Sequence, residues 1–180
     1  YLPGLNSFEQ KFSILSLQPK TIEITLGDAR VSEDKVFGLF DSSEIEWTND
    51  SEIDVVAVNK DDNFRSAFSQ VTGSSNDALV LVDPSHASMY GRYRAYFGRG
   101  ANKFELGKGK SIVFVLTDNL TPKKFDVKID INTSKLELTN VAGMIEGKRK
   151  DEIVLFSGHY DHIGIQKAIE GDSIANGAND

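Results

Sequence analysis

At 180 residues the chain is long enough for one full domain or two small ones, and an apolar content of 39% places it among globular proteins, not disordered tails. The net charge of −7 gives no general attraction to phosphate backbones or anionic lipid, which argues against nucleic acid and membrane surfaces as partners. With no cysteine there is neither a disulfide framework nor thiolate ligation, so any metal site must be built from His, Asp and Glu; no apolar run approaches the roughly 20 residues of a membrane span.

In chain order, Pro3-Gly4 signals a turn, and Phe8, Phe12, Ile14 and Leu17 follow, with strand-like alternation in the middle of the segment. Thr21–Leu26 repeats the pattern with Ile22, Ile24 and Leu26 on one face, so residues 1–26 read as two neighbouring half-buried strands. Val36–Phe40 is a third short apolar run, and Asp41–Glu44 reads as a turn. Trp47 reads as a packing residue at an edge. From Ile53 a nearly continuous β-branched run to Val58 precedes Phe64, Ala67, Phe68 and Val71 at helical spacing, and a second buried run follows at Ala78–Asp83. Strand, helix, strand predicts a βαβ unit with a parallel pair.

In residues 84–110 Pro84-Ser85 could open a short helix, but Tyr90, Tyr93, Tyr96 and Phe97 mix with Arg92, Arg94 and Arg99 and several glycines, and the stretch reads as an irregular, partly exposed excursion covering the core or a cleft. His86 reads as a turn residue. Ile112–Leu116 is another buried strand, Phe125–Ile131 alternates cleanly, and Leu136–Leu138 leads into Asn140–Gly147. The basic turn Lys148–Lys150 is expected to join that last strand to Ile153–Ser157 as a hairpin. Helices are few, although a catalytic α/β sheet needs them on both faces, so part of such a layer is expected to lie outside this chain. The start at Tyr1 and the stop at Asp180 inside a turn-rich loop read as cuts in a longer polypeptide.

The chemistry concentrates at the end. An apolar run that fits a buried strand stops at Gly158 and delivers His159, Asp161 and His162 together, and open α/β sheets put their chemistry beyond the carboxyl ends of strands. A neutral imidazole is a good zinc ligand, and a nearby carboxylate accepting its other N–H fixes the tautomer. A surface turn holding a His-Asp hydrogen bond has the same composition. The second cluster, Asn176–Asp180, places a carboxylate after a tight glycine turn, where it can bridge two cations.

Asn140–Gly147, then Glu152–Gly164, then Gly171–Asp180 resemble, in order, the strand before the site, the H-x-D strand end and the opening of the G-A-x-D loop of the zinc-dependent aminopeptidases of peptidase family M28. Carried over position by position, the resemblance implies His159 as a ligand of one zinc ion, Asp180 as the bridge between two, and Asp161 as the partner that supports His159. His162 and Asp172 fall outside the ligand pattern and are expected on the pocket wall or loop. The adjacent glutamate pair of that family, one of them the general base, is not among residues 1–180.

The resemblance thus implies part of a co-catalytic zinc metallopeptidase acting on peptide substrates through a metal-activated water, inactive in isolation and secreted or periplasmic. The expected fold is α/β, a strand-rich part of a zinc-exopeptidase α/β/α sheet. The division is N-terminal strands over 1–48, an inserted βαβ over 49–120 that is either protease-associated-like or a plain structural subdomain, and the start of the catalytic sheet over 121–180. A non-catalytic module contacting substrate or protein partners is the alternative. Asn49, Asn119 and Asn132 fit glycosylation sequons.

Overall fold

The computed structural model describes residues 7–149 and 151–159, together with the backbone of 165–169 and 172–174. The strand-rich α/β character expected from the sequence is present, arranged as two main sheets with helices on one side, beside a separate two-stranded ribbon. Strand β1 (Glu9–Leu26) lies between the two-residue β2 (Ala29–Arg30) and β7 (Ala101–Lys103) on one side and β9 (Phe125–Val141) on the other, and β4 (Glu44–Thr48) closes the far edge. The second sheet has the order β3 (Val36–Leu39), β8 (Ile112–Leu116), β6 (Ala78–Val82), β5 (Asp54–Val58). β5, β6 and β8 are parallel and β3 is antiparallel to β8.

The predicted βαβ is β5, helix α1 (Phe64–Gly73) and β6. The strand runs of Ala78–Val82 and Ile112–Leu116 lack alternation because both of their faces are buried. Ala78, Val80, Val82, Ile112 and Phe114 face the helices, where they meet Phe64 and Val71 of α1. Leu79, Leu81, Val113 and Val115 face the other way, onto Leu17, Ile24, Trp47, Val127 and Ile129 of the antiparallel sheet. Two core layers therefore share one central sheet, and each fully buried Leu or Val within it contributes about 1.5–3 kcal/mol. Trp47, 7% exposed, packs into this core from the edge strand β4.

The sequence reading needs three corrections. β1 is one strand, not two: Pro19 pairs with Ile131 and Thr21 with Asp130, so Lys20 is an extra residue in the ladder. A bulge accommodates Pro19 and Lys20 between the two apolar runs. The supposed irregular excursion contains helix α2 (Ala87–Phe97). Its Tyr90, Tyr93 and Phe97 recur at helical spacing and pack on Phe37, Phe64 and Phe68, while Tyr96 is 75% exposed. The hairpin expected around Lys148–Lys150 is not formed by the described residues: β9 ends at Val141, and residues 151–159 carry no strand. Ile153, Val154, Leu155 and Phe156 are 79–90% exposed. Apolar, β-branched composition favours a strand, but a strand exists only through its pairing, and no described strand pairs with this run.

Side-chain caps finish the helices. Asn63 Oδ1 accepts from Ser66 N at 3.0 Å at the start of α1. At its end Lys110 Nζ donates to the carbonyls of Val71 at 2.9 Å and Thr72 at 3.0 Å and also to that of Ser74. Asp83 Oδ1 accepts from Ser85 N at 2.8 Å in the turn that leads into α2.

Candidate metal centre

His159 is the last residue of the exposed run after β9. Asp161, His162 and Asp180 lie outside the described residues. Asp172 opens strand β11 (Asp172–Ile174), which pairs antiparallel with β10 (Ile165–Ile169). Ile165 stands opposite Ile174 and Ile169 opposite Asp172, so Asp172 is at the turn end of this two-stranded ribbon. In sequence, His159 precedes Ile165 by six residues and Asp180 follows Ile174 by six. Among the described residues no group of three His, Asp or Glu side chains is placed to hold a metal ion.

His86, read as a turn residue, closes the short turn before α2; its Nε2–H donates to the carbonyl of Asn59 at 2.8 Å and its ring stacks on Phe64. Asp62 and Asp83 lie near it and are held below the usual carboxylate range. For Asp62 the cause is the backbone N–H and then the amide of Asn59; for Asp83 it is hydrogen bonding from Ser85. These carboxylates serve turns at the ends of β5 and β6.

Two open grooves flank the four-stranded sheet. One, about 420 Å³, runs between α1 and the outer edge of β5 and includes Asp54, Asp62, Ser66 and Gln70. The other, about 440 Å³, lies between the end of α2, strand β3 and the bulge of β1. Lys20, Arg94 and Arg99 line it against Glu33 as the one acid. Sequence reasoning noted the arginines but missed the groove, because Lys20 joins them only through the fold.

Among the described residues no helix is long and apolar enough to cross a membrane. Residues 140–180 match the family model of peptidase family M28. The matched segment starts within the end of β9, crosses the exposed run and His159, and takes in the β10–β11 ribbon and Asp180. No curated protein and no solved structure matches the chain.

Proposed function

We propose that the chain is part of a co-catalytic zinc metallopeptidase, an aminopeptidase that hydrolyses N-terminal peptide bonds of peptide substrates. The observation that carries this reading is the family match over residues 140–180, which includes both ligand positions, His159 and Asp180. The ribbon register supports it: both positions follow from the same end of β10–β11, and six residues at about 3.3–3.6 Å each give a reach of roughly 20 Å to a common point. The donor chemistry fits zinc, an imidazole with carboxylates in a chain without cysteine.

When bound, zinc supplies Lewis acidity that lowers the pKa of a water and polarises the scissile carbonyl. His159 would hold zinc through a ring nitrogen of its neutral imidazole, and Asp161 would accept its other N–H and so fix the tautomer. Asp180 would help hold the zinc ions through its carboxylate. The adjacent glutamate pair that would include the general base is not among residues 1–180, which alone are inactive in this reading. His162 and Asp172 border the pocket. Residues 49–120 are an insertion, either protease-associated-like or a plain structural subdomain, between the N-terminal strands of 1–48 and the catalytic start at 121–180, and the protein acts outside the cytoplasm.

The test is metal analysis and aminoacyl-anilide hydrolysis on the full-length protein. His159→Ala and Asp180→Asn are each expected to lose bound zinc and activity, and Asp161→Asn to lower either by about 10–100-fold. Activity that survives both ligand substitutions overturns the assignment.

A further inference from the structure

The groove between α2 and β3 is a built feature. Gly98 lets the end of α2 close up, since a Cβ there would lie 2.6 Å from the Arg94 carbonyl oxygen. Gly100, at φ +92°, lets the following turn press against the Leu17 carbonyl of β1. A Cβ at Gly38 would overlap the ring of Phe40, so the missing side chain lets that ring lie against β3.

The floor is apolar, from Val36, Phe37 and Phe40, and the walls carry Lys20, Arg94 and Arg99. Lys20 is the bulged residue of β1, and Arg94 is fixed by its Nε–H donating to the Val36 carbonyl at 3.2 Å. In a chain of net charge −7 this is a local reversal of sign. β3 is an edge strand of its sheet. The Val36 carbonyl faces away from β8, as its bond from Arg94 requires, and Gly38, two residues further along, faces the same way. Gly38 lines the groove and is buried there.

We propose that this groove binds an extended acidic peptide segment. The main chain pairs along β3 at Gly38, alternate Asp or Glu side chains meet Lys20 and Arg99, and small apolar side chains between them rest on the floor. An acidic polypeptide is favoured over nucleic acid because its charges are intermittent, and the protein outside the groove repels a continuous polyanion. This does not depend on the peptidase reading.

The test uses the full-length protein and a fluorescein-capped hexapeptide of alternating Glu and Val, whose blocked N-terminus an aminopeptidase cannot attack. Fluorescence anisotropy should show binding that weakens with salt. Lys20→Glu and Arg99→Glu, both at exposed positions, should each weaken it by about tenfold or more, with thermal melting unchanged. Arg92→Glu, on the same helix but outside the groove, should leave it unchanged. Hydrogen exchange at residues 36–39 should slow on binding.

Equal binding of the Gln-Val peptide overturns the proposal. So does full displacement by inorganic phosphate at constant ionic strength, which would make this a free-anion site. Tighter binding of a single-stranded oligonucleotide, or unchanged affinity in both groove variants, overturns it too.

Discussion

Lys103 of β7 reaches the carboxylate of Asp41, just beyond β3, and closes an ion pair where Asp41 is only 4% exposed. The other carboxylate oxygen accepts from Gly109 N, and the backbone carbonyl of Asp41 accepts from Gly107 N at 2.9 Å. One side chain thus ties the 104–110 loop to both sheets. Asp41→Ala leaves Lys103 and the Gly109 amide short of an acceptor and is expected to cost about 2–4 kcal/mol, less than for a fully dry pair because Lys103 keeps 29% exposure. Burial pushes this carboxyl up, but Lys103 and Gly109 outweigh it and hold it below the usual range. A folded-state value lowered in this way gives stability that is complete above the unfolded value of about 3.9 and lost as pH falls through the folded one. Urea melts at pH 7 and pH 3 should show the Asp41→Ala penalty at the first and a smaller one at the second.

Tyr90 is 2% exposed, and its hydroxyl lies 2.8 Å from both the Lys35 and the Phe114 carbonyl oxygens. It bridges the approach to β3 and the middle of β8 from within α2, and burial raises its pKa well above the ordinary phenol value. Tyr90→Phe keeps the ring packing on Phe37 but removes the donor for two carbonyls, an expected loss of about 1–2 kcal/mol by urea denaturation. Tyr90→Ala removes the ring as well and should cost about 3–5 kcal/mol.

The three carbonyls gathered by Lys110 are the last acceptors of α1, so its ammonium satisfies them and opposes the negative helix end. Lys110→Met keeps the aliphatic stem and removes the charge. A loss of about 1 kcal/mol is expected, with faster hydrogen exchange confined to the last turn of α1. Uniform acceleration over the whole protein would contradict this local role.

The parts of the fold that were legible in sequence are those in which one local signal suffices. Ala78–Val82 is apolar throughout because helices cover one face and a sheet the other, and α1 carries a regular apolar stripe behind an Asn cap. α2 was hidden because Gly91, Gly98 and the exposed Tyr96 interrupt the stripe of Tyr90, Tyr93 and Phe97. β1 reads as two strands from its two apolar runs, and only the partner strand shows one ladder with a bulge at Lys20. The run at Ile153–Phe156 has strand composition, yet pairing is a property of two segments and cannot be read from one. The candidate site was legible as residue types at fixed spacing. The basic groove was not, because Lys20 meets Arg94 and Arg99 only after β1 and α2 are packed.

Gly100 and Gly73 should respond in opposite directions to the same substitution. Gly100 has φ +92°, where any L side chain is strained, and a Cβ there would overlap the Leu17 carbonyl oxygen, which is backbone and cannot swing aside. Gly100→Ala must therefore shift the turn between α2 and β7, at an expected cost of about 2–4 kcal/mol. The distortion should reach the groove as well, since Gly98 and Arg99 belong to the same turn. Gly73, the last residue of α1, has no such φ, and a Cβ would meet nothing within 4 Å. Gly73→Ala there restricts the unfolded chain without crowding the folded one and should stabilise by about 0.4–1 kcal/mol. Paired urea melts with equal m-values test both effects; a neutral Gly100→Ala would mean that the α2–β7 turn does not press on β1.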